Sequence, residues 1–93
     1  MYNYFMLMGK LVSLRKGSKD EYELDLAVTR PFAEVDGHHK TDYFTIQVPT
    51  VIAETLIEAD LHEHKTISVK GRLTPVLVGT SAMLIAERIM WGD

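Results

Sequence analysis

The chain has 93 residues, of which 46% are hydrophobic, and its formal net charge is −3. A chain of this length can bury one modest core, so we expect a single domain, residues 1–93. The absence of cysteine excludes disulfides and cysteine-ligated metals. The acidic balance argues against a protein that holds nucleic acid by bulk charge, although local charge can still bind phosphate. No segment resembles a signal peptide or a membrane span, which predicts a cytoplasmic protein with no membrane partner.

The first part of the chain predicts two strands. Tyr4–Leu14 is rich in large apolar residues and is interrupted by Gly9, which indicates a bulge or a tight bend. Arg15–Lys19 is a turn. From Glu21 to Val28, hydrophobic and mostly charged residues alternate. This period of two is typical of a strand with one buried face.

A loop, a third strand and a short helix follow. Pro31–His39 is predicted to be an exposed loop, and its Asp36-Gly37 pair can form a two-residue hairpin at the tip. Alternation over Thr41–Val48 predicts the third strand, and Pro49 ends it. Thr50 is a suitable N-cap for a helix. The predicted apolar face of this helix consists of Val51, Ile52, Thr55, Leu56 and Ala59.

Two more strands complete the chain. Thr66–Leu73 alternates, with Gly71 and Leu73 among its inward residues, and Gly79 lies at the centre of the next connection. Ser81–Trp91 is almost continuously apolar, as expected when both faces of a strand contact protein. Three strands, a helix and two strands are the element order of the OB-fold. We therefore predict an all-β OB-fold Greek-key barrel with one short helix; an open α+β sheet is the alternative, which the glycines within strands disfavour.

The sequence offers no residue set for catalysis, a cofactor or a metal. His38 and His39 point to opposite sides of an extended chain, and His62 and His64 lie in a charged connector that lacks a third ligand at a recognisable spacing. The serines have no nucleophile context, and the glycines form no phosphate-binding loop. We therefore expect a protein that is not an enzyme.

A surface for single-stranded nucleic acid is the remaining candidate. Such surfaces combine aromatic rings that stack on bases with Lys and Arg along the backbone. Tyr43 lies on the polar face of the third strand, whereas Phe32 follows the second strand and can equally be tucked over the barrel mouth. Ordinary solvated strand faces would explain the nearby basic residues as well. The predicted nucleic-acid-binding residues are Phe32, Tyr43, Lys10, Arg30, Lys40, Lys70 and Arg72.

Five segments together match the motifs of a known family in the same order. They are Asn3–Leu11, Leu26–Phe32, Thr41–Tyr43, Ile52–Glu54 and Val69–Leu73. Their combination resembles the bacterial single-stranded DNA-binding protein (SSB) family and covers nearly the whole chain. The resemblance implies an OB-fold and binding of single-stranded DNA in replication, recombination or repair. It also places base-stacking rings at Phe32 and Tyr43.

Other positions depart from that family. Its two further stacking positions fall on Pro49 and about Val78, neither of which is aromatic. The hairpin between the fourth and fifth strands is predicted to cover only Thr74–Thr80, and with the sequence stopping at Asp93 we expect no long acidic-tipped tail of the family's kind. These departures imply a reduced SSB-like module.

Residues 43–52 also resemble the primosomal protein PriB, a dimeric relative of the same fold that binds single-stranded DNA and replication proteins. Two hypotheses therefore stay open. In the first, the chain binds single-stranded DNA and associates as a homodimer or homotetramer through its first strand. In the second, it is a PriB-like or degenerate OB module whose main role is protein–protein interaction. The net charge and the missing aromatic residues favour the second, and replication proteins are candidate partners.

Overall fold

The structure, a computed structural model, describes residues 2–76 and 81–92. Its elements, in chain order, are β1 (Phe5–Lys16), β2 (Glu21–Thr29), β3 (Thr41–Pro49), α1 (Thr50–Glu58), β4 (Thr66–Pro75) and β5 (Ala82–Trp91). The strands form a closed barrel in the order β1-β2-β3-β5-β4. The predicted barrel is confirmed and the open-sheet alternative is wrong. Val78 and Gly79 lie outside the described residues.

The first strand closes the barrel because it pairs with two neighbours in turn. Phe5–Lys10 runs antiparallel to β4, and Lys10–Lys16 runs antiparallel to β2, so Lys10 has a partner on both sides. A Cβ atom on Gly9 would lie 2.3 Å from the carbonyl oxygen of Ala27. Because only glycine lacks that atom, β1 can come this close to β2 just before it changes partner. Gly9 therefore lies where the backbones of β1 and β2 approach each other closely.

Two register shifts bend the strands around the core. The pairing of β1 with β2 shifts between Leu11 and Ser13, so the bulge in β1 is not at Gly9 itself. The pairing of β4 with β5 shifts at Gly71, where a Cβ atom would lie 1.9 Å from the carbonyl oxygen of Ile85. Gly71 therefore sits at a bulge that the predicted bend requires.

All five strands and the helix contribute to one core. Its fully buried residues on β2 and β3 belong to the alternating inner faces that the sequence predicts. Leu73 was expected to point inward, but it is partly exposed because β4 there extends beyond Phe5, the first paired residue of β1. The buried core residues are Leu11, Leu24, Leu26, Ile46, Val48, Ala53, Leu56, Ile67, Val69 and Ala86.

The helix begins one residue earlier than predicted. Pro49 is the N-cap residue, and Thr50 already belongs to the first turn. The hydroxyl of Thr50 donates a hydrogen bond to the carbonyl oxygen of Asp20, so this side chain ties the helix to the β1–β2 turn instead of capping it. No helix in residues 2–76 and 81–92 is both long and apolar enough to cross a membrane.

The buried face of α1 also differs from the predicted one. Ala53 and Leu56 are buried and Ile52 is partly buried, whereas Val51 is 77% exposed and Thr55 and Ala59 are exposed as well. Three consecutive apolar residues allow more than one helical phase. Packing against β2, β3 and β5 selects the phase that buries Ala53 and Leu56.

Replacing Gly71 with Ala should destabilise the barrel by about 1–3 kcal/mol, because the new methyl group must displace backbone atoms of β5. The measurement is urea unfolding followed by circular dichroism. Gly92→Ala is the matched control, since a Cβ atom there meets nothing within 4 Å. Equal stability of the two variants would contradict the requirement for glycine at the bulge.

Candidate nucleic-acid interface

Lys10, Ala27 and Tyr43 lie side by side on the outer face of the barrel. Lys10 of β1 pairs with Ala27 of β2, which pairs with Tyr43 of β3. Tyr43 is 71% exposed, so the prediction that this residue lies outside the core is confirmed. The single methyl group of Ala27 leaves a shallow path between the cation and the ring. We call these three residues the platform row.

The loop between β2 and β3 presents Phe32 to solvent, with 82% of the residue exposed. The alternative in which the ring covers the barrel mouth is therefore wrong. Further along the loop, the N–H of Glu34 donates to the carbonyl oxygen of His38 (2.8 Å), and the N–H of Gly37 donates to that of Glu34 (2.9 Å). The tip is thus a three-residue turn, with Gly37 at a φ of +85°, and not the predicted two-residue hairpin.

Arg30 is engaged by carboxylates. Its Nε and Nη2 atoms lie 2.9 and 3.0 Å from the two carboxylate oxygens of Asp42, and its Nη1 lies 3.4 Å from Glu34 Oε1. These hydrogen bonds from Arg30 lower the pKa of Asp42, and the bonds to Asp42 raise the pKa of Arg30. The guanidinium predicted to contact DNA is therefore committed to an ion pair.

A polar row that the sequence analysis missed lies next to the platform row. Asp25 Oδ2 accepts a hydrogen bond from Ser13 (2.9 Å) and Oδ1 accepts one from Thr45 (2.8 Å), while the Arg15 guanidinium also contacts the carboxylate. Burial favours the neutral form of Asp25, but the hydrogen bonds from Arg15, Thr45 and Ser13 outweigh it and lower the pKa. Asp25 thus stays ionised beside the platform row.

Lys70 and Arg72 lie away from the platform row. Lys70 is four residues along β4 from Thr66, the partner of Lys10, which is about 13 Å at the usual rise per residue. Its ammonium lies 5.8 Å from the centroid of the Tyr4 ring. Arg72 Nη1 lies 2.6 Å from the hydroxyl of Thr74, and the guanidinium also approaches Glu87 at 3.7 Å. The structure therefore does not bring these two cations to the platform.

Of the seven predicted site residues, the structure brings Lys10 and Tyr43 together. Phe32 and Lys40 belong to the loop that leads into β3. Lys40 is exposed and lies close enough to Asp42 to help lower the pKa of that carboxyl. The site therefore consists of the exposed Tyr43 with Lys10 on the platform row and the exposed Phe32 with Lys40 on the neighbouring loop.

Pro49, which occupies a stacking position of the SSB pattern, borders a cleft between β3 and β5. The cleft has a volume of about 410 Å³, and its lining includes Gln47, Met83 and Ile85, with Lys19 at the rim. An aliphatic floor of this kind offers van der Waals contact but no ring for base stacking. Within the described residues, no group of three or more His, Asp or Glu could hold a metal ion.

An apolar stripe covers the outer face of β1. Tyr4, Met6 and Met8 are each more than half exposed. Met90 of β5 lies on the same surface, because Met8 pairs with Ser68 of β4 and Ser68 pairs with Met90. We call Tyr4, Met6, Met8 and Met90 the β1 stripe. Within residues 2–76 and 81–92, the half of β1 that carries it has a strand partner on one edge only.

A closed five-stranded Greek-key barrel with a helix between its third and fourth strands defines the OB-fold class, and this chain belongs to that class. The chain is similar to the small SSB from Streptomyces coelicolor, with 21% identity and a TM-score of 0.66 over 99% of this chain and 95% of that one. It is also similar to the Plasmodium falciparum SSB in complex with single-stranded DNA, with 19% identity and a TM-score of 0.67 over 100% and 96% of the two chains.

A third similar structure is the dimeric N-terminal domain of PriB from Thermoanaerobacter tencongensis. Its identity is 15% and its TM-score 0.59, over 98% of this chain and 97% of that one. No protein-family model matches the sequence, and no curated protein does. The predicted likeness to the SSB and PriB fold is confirmed.

Asp25→Asn should change how stability depends on pH. The folded-state pKa of Asp25 is lowered, so its stabilising contribution is complete above the ordinary aspartate value of about 3.9 and is lost as the pH falls through the folded-state value. We expect the variant to be less stable than the wild type at pH 7 and to lose less stability on acidification. Urea unfolding at a series of pH values measures this.

Glu54→Gln is the control for that measurement, because Glu54 is an exposed residue of α1 that makes no ion pair with the described residues. Parallel pH profiles for wild type and Asp25→Asn would contradict a lowered folded-state pKa for Asp25.

Proposed function

We propose that this chain is a single-stranded DNA-binding protein that acts as one non-catalytic OB domain in the cytoplasm, in DNA replication, recombination or repair. The observation that carries the proposal is the platform row, in which an exposed tyrosine and a lysine flank an alanine on one face of the barrel. A base can stack on Tyr43 while its phosphate meets Lys10, and Ala27 leaves room between them. The fold shared with an SSB whose structure contains single-stranded DNA supports the proposal.

The charges around the platform imply that stacking contributes more than phosphate neutralisation. Arg15 and Arg30 are held by carboxylates, which leaves Lys10 on the platform row and Lys40 on the Phe32 loop as the basic residues without an ion pair among the described residues there. For single strands, the slope of log K against log[salt] is about −0.7 per neutralised phosphate, so two contacts give about −1.4. A shallow salt dependence is therefore compatible with the net charge of −3.

The second candidate function is protein–protein interaction, and the exposed face of α1 favours it. Glu54, Ile57 and Glu58 share this face by their spacing of three and four residues, and all three are exposed. Asp60 and Glu63 extend the acidic surface into the following connector. This surface, with Ile57 among carboxylates, is complementary in charge to a basic segment of a replication protein.

Phe32→Ala and Tyr43→Ala should each weaken binding to oligo-dT more than tenfold, because each stacked base contributes about 1–3 kcal/mol. Fluorescence anisotropy of labelled oligo-dT at two salt concentrations measures the affinity. Tyr43→Phe keeps the aromatic ring and should therefore retain most of the affinity for oligo-dT. Val35→Ala is the control, because Val35 is a fully exposed apolar residue in the same loop as Phe32. This variant should change the affinity by less than about twofold.

Absence of binding by the wild-type protein at micromolar concentration and low salt would reject the proposed function. Retention of protein partners in a pull-down, together with background binding of oligo-dT, would establish the second candidate instead. Equal losses for Val35→Ala and Phe32→Ala would show that the loop contributes surface and not a stacking ring.

We further propose that the chain associates with copies of itself through the β1 stripe, as a homodimer or homotetramer. Two observations support this proposal: the stripe is apolar and exposed, and the same half of β1 has an edge without a strand partner among the described residues. Lys70, whose ammonium lies over the ring of Tyr4, borders this surface. The structure of the PriB domain, which has the same fold, is dimeric.

Met8→Glu should shift the protein towards the monomer by placing a charge in the middle of the stripe. Sedimentation equilibrium over a range of concentrations measures the change in mass. Val51→Glu is the matched control, because Val51 is an equally apolar and exposed residue on α1. An unchanged mass for Met8→Glu, or a monomeric wild type, would exclude association through β1.

A further inference from the structure

Arg30 and Asp42 close the base of the loop that carries Phe32. The guanidinium forms a two-pronged hydrogen bond with the carboxylate, at 2.9 and 3.0 Å. On the backbone, the N–H of Arg30 donates to the carbonyl oxygen of Lys40 at 2.8 Å, and the carbonyl oxygen of Arg30 lies 2.8 Å from Nδ1 of His39. Both sides of the loop base are thereby joined by side-chain and backbone contacts.

The Arg30 guanidinium also contacts a residue that follows Phe32 in the chain. Its third contact is with Glu34, at 3.4 Å, and Glu34 closes the three-residue turn at the tip through its hydrogen bonds with Gly37 and His38. Phe32 therefore lies in the short segment between the loop base and the tip, and Arg30 contacts both. An exposed ring in this position has few contacts of its own to hold it.

Strand alternation places Asp42, to which the Arg30 guanidinium is bound, on the side opposite the platform row. Asp42 pairs with Val28, and it alternates with Tyr43, whose side chain belongs to the outer face. Asp42 lies on the same face of β3 as Phe44, which packs against the barrel core. A guanidinium bound there faces away from the surface on which Tyr43 and Lys10 lie.

From these observations we propose that Arg30 and Asp42 form a clamp that positions Phe32 for base stacking, so that Arg30 is a positioning residue and not a phosphate contact. The inference rests on the proposed function. Holding the loop before DNA arrives reduces the ordering cost of binding, and losing that order should weaken affinity about three- to tenfold, the cost of immobilising about one side chain. The fork geometry requires arginine, because lysine cannot form a two-pronged bond.

Asp42→Asn distinguishes the two roles by the sign of its effect. Removing a carboxylate near DNA would strengthen binding if only charge mattered, and it would free Arg30 for phosphate. The clamp predicts the opposite, a loss of about three- to tenfold in affinity for oligo-dT. Asp20→Asn, which removes one negative charge from the exposed turn between β1 and β2, controls for net charge and should not weaken binding. Tighter binding by Asp42→Asn would overturn the clamp.

Arg30→Gln tests the phosphate role directly through the salt dependence. A residue that neutralises a phosphate reduces the magnitude of the slope of log K against log[salt] by about 0.7 when it is replaced by a neutral one. The clamp predicts weaker binding with an unchanged slope. A reduced slope would assign Arg30 to the DNA backbone and overturn the proposal.

The coupling to Phe32 separates positioning from a general effect on the fold. In a Phe32→Ala background there is no ring to position, so Asp42→Asn should have no further effect on affinity. A loss of the same size in both backgrounds would show that the clamp acts on something other than Phe32. Thermal unfolding of each variant verifies that it is folded at the assay temperature.

A measurement without DNA keeps this inference separate from the proposed function. Chymotrypsin can cleave after Phe32 only when the loop opens, and the clamp predicts cleavage at least about threefold faster in Asp42→Asn than in wild type or Asp20→Asn. Faster cleavage with no oligo-dT binding by the wild type would keep the clamp and reject the function. Equal cleavage rates in all three proteins would reject the clamp whatever the DNA result.

Discussion

The barrel depends on one strand that pairs with two others in succession. β1 can pass from β4 to β2 only because Gly9 has no side chain to collide with the carbonyl oxygen of Ala27. The residue after that crossing, Lys10, has a neighbour on each side, and its place in the pairing puts it in one row with Tyr43 two strands away. The same crossing leaves the first half of β1 with an unpaired edge among the described residues. Barrel closure thus creates both surfaces to which we assign a function.

The surface charges divide the outer face of β2 into two regions. Glu23 and Asp25 engage Arg15 and keep it from contacting phosphate, whereas Ala27, two residues further on, is neutral and small. A nucleic-acid strand that follows the barrel therefore meets favourable contacts at one end of β2 and carboxylates at the other. An acidic protein can hold DNA in this way, because a few free lysines beside exposed rings matter more than the net charge.

Alternation in the sequence was sufficient to predict the inner and outer faces of β2 and β3, and with them the exposure of Tyr43. It could not reveal which strands become neighbours around the barrel, since that depends on pairing between distant segments. For this reason Lys70, an outward residue of β4 as predicted, lies beside Tyr4 and not at the platform. The ion pair of Arg30 was missed for a related reason: Asp42 is twelve residues away and becomes its neighbour only when β2 pairs with β3.

The contact between Asn3 and β4 has a consequence for synthesis on the ribosome. The side chain of Asn3 donates to the carbonyl oxygen of Leu73 at 2.8 Å and accepts from its N–H at 3.0 Å, across seventy residues of sequence. The methionine-rich start of β1 therefore emerges before β4 and has to wait for it before it finds its strand partner. During this interval an apolar strand is open to other nascent chains, so the speed of translation through β2, β3 and α1 sets how long the chain is prone to aggregate.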